Sequence, residues 1–348
     1  MDLTILIYCA LLFSFTLLPL IRNDYWIFRV FDYPRLQKLF LNVTAIILVI
    51  AYYSGSPAYK YTLLALLAIN TFHLLWLISP FTRFGKKQVH KAGPRDAYKS
   101  INVMIANVFQ DNKNTAGCLK EISKADPDIV LLLETNRWWD TQTRALEKSY
   151  PYFKRVPLEN TYGLLLYSKL ELIDPAVKYL VENDIPSIHT QIKLRNGRLI
   201  QFYAVHPTPP VPNENVRSTE RDKELLLVAD LAKTSNMPVI VAGDLNDVAW
   251  SHTTELFLKI SGLLDPRRGR GFFNSFHAYY FFIRFPLDHA FISRHFKLNM
   301  IKRLRNYNSD HFPIYLDVQL EDGAYEEQQP LEVDQDDKEE AAEKKQKI

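Results

Sequence analysis

Cysteine is nearly absent: Cys9 and Cys118 are the only two in 348 residues. They are far apart and lie in regions of different character, so the chain has neither a disulfide framework nor a cysteine metal site, and its redox compartment stays open. There is no internal repeat and no glycine-rich phosphate loop. The first apolar stretch has no basic residues ahead of it and no A-x-A-like exit, which argues against a cleaved signal peptide. No basic stripe interleaved with aromatics stands out either, so a footprint for duplex nucleic acid is not established.

What is present is a core-forming composition, with 47% hydrophobic and 23% charged residues. That excludes a disordered protein and leaves room for one large domain or two ordinary ones. Charge is unevenly placed. Residues 321–348 carry eleven acids and four lysines, a net of −7, so the first 320 residues hold +10 of a chain whose total is +3. A basic body suits anionic partners, whether nucleic acid, phospholipid head groups or phosphorylated metabolites. The tail, without apolar periodicity, is expected to be solvated and disordered.

Long apolar runs crowd the first 80 residues. "LTILIYCALLFSFTLLPLI" (3–21) and "YTLLALLAINTFHLLWLIS" (61–79) are each free of charge and, at about 1.5 Å per residue, long enough to cross a hydrocarbon layer of about 30 Å. "LFLNVTAIILVIAYY" (39–53) contains Asn42 and Thr44 and becomes a third span when extended to 36–54, with a surface-lying helix as the alternative. Between the first two runs, Tyr25, Trp26, Phe28, Phe31 and Tyr33 alternate with Arg22, Arg29, Arg35 and Lys38, as in an interfacial belt. Residues 81–99 read as a basic linker. The positive-inside rule then puts everything after residue 80 in the cytoplasm, as the catalytic side of a multi-pass membrane protein. His73, inside the third run, reads as a helix-packing residue.

From residue 100 the runs shorten. Segments 101–108, 128–134, 163–168, 198–206, 237–244, 287–293 and 311–320 read as strands, with helices expected at 114–126 and after Asn215. The pattern predicts an α/β layered domain over 100–320, two sheets face to face with helices outside. Polar residues mark the strand ends: Asn107, Glu134, His206, Asp244 with Asn246, Asp288, and Asp310 with His311. Singly, each has an ordinary reading as a turn or cap residue. Together, they form one polar cluster if the strand ends meet at one rim.

"ANV", "LLLET", "AVHPTPP", "GDLND", "PLDHAFIS" and "SDHFP", in this order, resemble the endonuclease/exonuclease/phosphatase superfamily, in a membrane-anchored, bacterial-type form. The superfamily includes pancreatic-type deoxyribonucleases, abasic-site endonucleases, inositol polyphosphate 5-phosphatases and neutral sphingomyelinases. The resemblance implies a DNase I-like four-layer α/β sandwich and a phosphodiesterase, nuclease or phosphatase using Mg²⁺, with Mn²⁺ as a substitute. It implies Glu134, Asn107 and Asp310 on the metal side, Asp244 as base for the attacking water and Asn246 holding it in register. His206 and His311 would donate to phosphate oxygens, Asp288 would orient one imidazole, most plausibly His311, and Tyr162 would help to position phosphate. Phe109 stands where several nucleases of the family place an Asp two residues after the first Asn, which removes one ligand and disfavours the abasic-endonuclease subclass.

The substrate stays open between nucleic acid and a phospholipid or sphingomyelin head group, and a non-catalytic membrane scaffold for phosphorylated ligands is the alternative from another class. Beyond that substrate and the lipid bilayer, no obligate protein partner is implied. The aromatic segment 271–289 reads as a stacking platform for bases, a lip that dips into a bilayer, or the strands of a core hairpin.

Overall fold

A computed structural model describes residues 1–347; Ile348, the last residue of the acidic tail, lies outside the described residues. The chain opens with α1 (Asp2–Leu17), the short α2 (Trp26–Arg29), α3 (Arg35–Tyr52) and α4 (Pro57–Ile78). With their flanking turns, three of these are long and apolar enough to cross a membrane, at Asp2–Leu20, Arg35–Tyr52 and Pro57–Phe81. They share a core of Ile5, Cys9, Leu12, Ala45, Val49, Leu63 and Leu67. Asn42 and Asn70, polar residues inside those runs, are spent on each other: Asn70 Nδ2 donates to Asn42 Oδ1 at 2.8 Å and Asn42 Nδ2 to the Leu67 carbonyl at 2.9 Å.

The remainder follows as β1 (Ser100–Asn107), α5 (Thr115–Ala125), β2 (Ile129–Leu133), α6 (Arg137–Thr143), β3 (Tyr152–Val156), β4 (Leu164–Ser168), β5 (Glu171–Lys178), β6 (Ser187–Lys193) and β7 (Leu199–Val205). Then come α7 (Thr219–Thr234), β8 (Val239–Asp244), α8 (His252–Ser261), β9 (Asp288–Ile292), β10 (Phe296–Arg303), β11 (Ile314–Leu320), α9 (Ala324–Glu327) and α10 (Gln335–Gln346). One sheet has the order β10-β11-β1-β2-β4-β3, the other β5-β6-β7-β8-β9. Both are mixed, with β1–β2 and β7–β8 parallel and the other pairs antiparallel.

The two-residue period of a strand explains the layers. In β1, Val103 and Ile105 enter the core between the sheets, while Met104 and Ala106 turn outward to Cys118, Ile122 and Trp139 of α5 and α6. In β8, Ile240 and Ala242 face inward, and Val239 and Val241 face Leu225, Leu256 and Phe257 of α7 and α8. The chain is therefore a four-layer α/β sandwich, as its strands predict, because runs buried on both faces must be apolar throughout.

Four strands escape the sequence reading. β3, β5 and β10 are sheet edges, half-exposed and carrying charge, and β6 alternates polar with apolar residues. Edge strands carry such residues because an unpaired apolar edge invites aggregation. β5 tolerates Pro175 at a bulge between Ile173 and Ala176.

Three further expectations need correction. Residues 81–99 are not a free linker: Val89 is buried in the core between the sheets, the Ala92 amide donates to the Leu298 carbonyl at 2.9 Å, and Arg95 pairs with Asp317 at 3.0 Å. The tail is not solvated throughout. Helix α10 carries an Asp334/Asp337 capping box, buries Ala341, and pairs Lys344 with Asp222 (2.7 Å), Lys345 with Asp230 (2.5 Å) and Asp337 with Lys259 (3.0 Å). Its acids lead and its lysines trail, which suits the helix dipole. Finally, α7 starts at Thr219 because residues 215–218 are held by the segment between α1 and α3. There Trp26 donates to the Val216 carbonyl and Ser218 to the Asp24 carbonyl, each at 2.8 Å.

Candidate active site

The ends of β1, β2, β7, β8 and β9 and the loop before β11 meet at one rim of the sandwich, around a cavity of about 290 Å³. Its wall includes Glu134, Tyr162, His206, Asn246, Asp310 and His311. Asn107, Asp244 and Asp288 lie directly behind, each 1% exposed. All nine residues singled out from the sequence are thus brought together, across two hundred positions of chain.

Asn107 is the junction. Its Nδ2 donates to Glu134 Oε1 at 2.7 Å and to Asp244 Oδ2 at 3.0 Å, while its Oδ1 accepts from the Phe109 amide. Asp244 is also held on its other oxygen by the Asn246 amide at 2.9 Å. Gly243, just before it, runs so close to β7 that a Cβ there would stand 1.8 Å from the Val205 carbonyl oxygen, so only glycine lets the turn form. The Asn246 side chain itself turns away from Asp244 and donates to the Pro207 carbonyl at 2.9 Å.

His311 stands between two carboxylates, its Nδ1 2.7 Å from Asp288 Oδ2 and its Nε2 3.6 Å from Asp244 Oδ2. Burial alone would disfavour its charged form, but Asp288 and Asp244 outweigh that and push its pKa up to about 10. For His206 burial outweighs the opposing pull of Asp244, with His311 adding to it, and its pKa falls to about 4. Glu134 is pushed up to about 7 by burial, with His311 and Asn107 opposing and Asp310 and Asp244 adding to it. The Tyr162 ring lies 5.2 Å from that of His206, and its hydroxyl is taken by Glu214 rather than left free for a phosphate.

Several residues here had no role at the site assigned to them from the sequence. Ser309 Oγ donates to the Asn107 carbonyl at 2.7 Å and accepts from the His311 amide at 3.0 Å, which locks the loop before β11 onto β1. Tyr33 and Arg221 both donate to the Asn246 carbonyl, at 2.8 and 2.9 Å. Asp247, beside the site in sequence, faces away from it: it accepts from the Val248 amide, from Ser251, which caps α8, and from Thr254 in its first turn, and pairs with buried Arg221 at 3.5 Å. It anchors the turn and offers no group to the cavity. Phe109 likewise offers no ligand atom.

Two carboxylate sets could hold a cation. Asp244, Asp288 and His311 offer ligand atoms within 4.8 Å of one another. In that trio His311 has no lone pair free for an ion, because its raised pKa keeps it protonated with Nδ1 on Asp288 and Nε2 towards Asp244, although Asp288 Oδ1 is left without a partner. Glu134 and Asp310 fit better. Asp310 Oδ1 is buried with no partner, and the burial of the Glu134 carboxylate is only partly offset by His311 and Asn107. An all-oxygen donor set on a cavity wall is what a hard divalent ion such as Mg²⁺ accepts.

Two mixed sheets with carboxylates, amides and imidazoles gathered at one rim define a hydrolase of phosphate esters. Residues 104–311 match the profile of the Endonuclease/Exonuclease/phosphatase family, and the chain belongs to that family. Among solved structures, D. rerio TDP2 complexed with single-strand DNA product is 16% identical, covering 63% of this chain and 99% of that one at a TM-score of 0.54. The human Nocturnin catalytic domain with bound sulfate is 19% identical, with 65% and 97% covered at 0.53. An endonuclease/exonuclease/phosphatase from Bacteroides vulgatus is 18% identical, with 64% and 99% covered at 0.52. At these identities the likeness is one of fold. The comparison with curated proteins finds no match.

Proposed function

We propose that the chain is a membrane-anchored phosphate-ester hydrolase that depends on a divalent ion, Mg²⁺ or in its place Mn²⁺. The observation that carries this reading is the Asn107 amide, which ties Glu134, the carboxylate suited to an ion on the cavity wall, to Asp244, the carboxylate suited to a water, directly behind it. Glu134 and Asp310 would hold the ion. When bound, it polarises a phosphoryl oxygen and offsets the charge that develops there.

Asp244, fixed through both oxygens, orients a water and takes its proton as the water oxygen attacks phosphorus in line with the departing ester oxygen. His206 and His311 donate to the non-bridging oxygens. Asp288, bonded to His311 Nδ1, keeps that ring turned so that Nε2 faces the reaction. A scaffold that only binds phosphate has no need for this arrangement, in which Asp288 Oδ1, Asp310 Oδ1 and His206 Nδ1 are all buried without partners at a real energetic cost.

Full-length protein in detergent is expected to hydrolyse bis-p-nitrophenyl phosphate, to lose that activity in EDTA, and to regain it with Mg²⁺ or Mn²⁺. Turnover unaffected by EDTA would remove the metal from the reading, and no turnover with any divalent ion would favour the scaffold.

The three apolar helices at Asp2–Leu20, Arg35–Tyr52 and Pro57–Phe81 support an N-terminal anchor, and the basic residues flanking them support a cytoplasmic active site. In sealed right-side-out vesicles, residues 100–320 are then expected to resist added protease until detergent is present. Cleavage before detergent would reverse the topology.

A further inference from the structure

We infer that the active-site cavity opens onto the membrane interface and that its substrate is the phosphate ester of a membrane lipid, drawn in beside an aromatic lip at residues 279–283. This rests on the hydrolase reading above and names the substrate class of the same site.

The cavity is built partly from the chain between the first two apolar helices. Val30 and Tyr33 line it together with Glu134, His206 and His311. The Tyr33 hydroxyl donates to the Asn246 carbonyl at 2.8 Å, and its ring meets Phe285 edge-on with centroids 5.6 Å apart. Trp250 Nε1 donates to the Asp32 carbonyl at 2.9 Å, and Asp24 accepts from Thr219 at 2.5 Å. The interhelical segment is therefore a fixed wall of the site. If α1 and α3 cross a bilayer, the ends they present to that segment lie at the bilayer surface, and the cavity lies there too.

The lip points to the same place. Tyr279, Tyr280, Phe281, Phe282 and Ile283 are 55%, 60%, 70%, 79% and 51% exposed, five consecutive large apolar or aromatic side chains. At its base Phe276 lines the cavity and meets the His311 ring at a tilt, with centroids 5.0 Å apart. At its tip the Phe282 carbonyl accepts from Gln37 Nε2 at 2.5 Å, and Gln37 stands in the first turn of α3. The lip thus runs from the cavity to the start of a candidate span. Such a run is costly in water and favourable among head groups, where aromatic rings gather. The core-hairpin reading holds only for its flanks, since Phe276, Phe285 and Leu287 pack against Phe81 and Trp250 while the tip packs on nothing comparable.

The lining decides between lipid and nucleic acid. Val30, Pro209, Pro210, Val211, Phe276 and Leu287 make it largely apolar, and among the described residues no Lys or Arg lines it. A polyanion with phosphates on either side of the scissile one needs cations along its path. A single head-group phosphate with acyl chains behind it needs one ion and an apolar rim.

The test uses the full chain reconstituted in vesicles of phosphatidylcholine, phosphatidylglycerol or sphingomyelin, with a single-strand oligonucleotide in a parallel arm. Wild type is expected to release phosphorylated head group, or free phosphate from it, from at least one vesicle type. The exposed pair Phe281→Ser with Phe282→Ser is expected to lower that release tenfold or more while turnover of bis-p-nitrophenyl phosphate is unchanged. A nitroxide on Phe282→Cys, specific because Cys9 and Cys118 are buried, is expected to relax faster with oxygen than with a water-soluble nickel chelate. No release from any of the three vesicle types, equal release by wild type and the double variant, oligonucleotide cleavage without lipid turnover, or a nitroxide in water would each overturn the inference. Absent turnover of the soluble diester would instead count against the hydrolase reading, while the nitroxide would still report where the lip sits.

Discussion

Asp244→Asn is expected to lower kcat on bis-p-nitrophenyl phosphate by about 10³-fold, a barrier increase of about 4 kcal/mol, with little change in KM. The substitution keeps the size and most of the hydrogen bonding of the side chain. With the retained carbonyl oxygen at the Oδ1 position the Asn246 backbone amide keeps its acceptor, so the turn beyond β8 should persist, while Asn107 loses its bond to this side chain. What disappears is the carboxylate held through both oxygens directly behind the cavity wall and assigned to take a proton from a water. His311 also loses one of its two flanking carboxylates, at 3.6 Å, so part of the loss belongs to that ring. Steady-state kinetics with matched circular dichroism spectra would check this, and turnover equal to wild type would remove Asp244 from the mechanism.

Glu134→Gln is expected to abolish the response to the ion as well as the activity. In wild type, an ion that binds only the folded chain stabilises it by about 2.7 kcal/mol at a hundredfold excess over Kd, which a melting curve reads as a rise in Tm. With the carboxylate gone, Asp310 is left as the sole charged donor of the pair. Mg²⁺ should then leave Tm unmoved over the same concentrations, and activity should fall at least about 10²-fold. The amide can still face Asn107, so the fold itself should survive. An undiminished Mg²⁺-dependent rise in Tm in this variant would transfer the ion to another donor set, and Asp244 with Asp288 would be the place to look.

These two substitutions separate the roles that Asn107 binds together. Loss of the base leaves the ion's stabilising effect intact, and loss of the ion's carboxylate removes both. A protein that only sheltered a phosphate would show neither pattern, because neither side chain would be limiting for turnover.

The central strands were legible in the sequence because they are buried on both faces. "INVMIANV", "DIVLLLE" and "MPVIVAGD" have no alternative but a sandwiched strand, and they end in Asn107, Glu134 and Asp244, whose polarity marks the rim. The edge strands were not legible, since β3, β5 and β10 face water and their residues obey solubility more than packing. Helix α10 was read as a disordered tail for a related reason. Its composition is that of a solvated segment, and it docks through the matching charges of Lys259, Asp222 and Asp230 on other elements together with the single small apolar contact of Ala341.

Composition and order alone determined the layered α/β class, three apolar segments ahead of it and the set of polar residues available for chemistry. They could do so because burial imposes a local period, and a period can be read one segment at a time. Which carboxylates line the cavity and which lie behind it, that Asp247 turns from the site its neighbours form, and that Tyr33 from between two apolar helices lines the cavity were decided only by the tertiary structure. Those facts depend on the direction of side chains brought together from distant positions, and no local pattern carries direction.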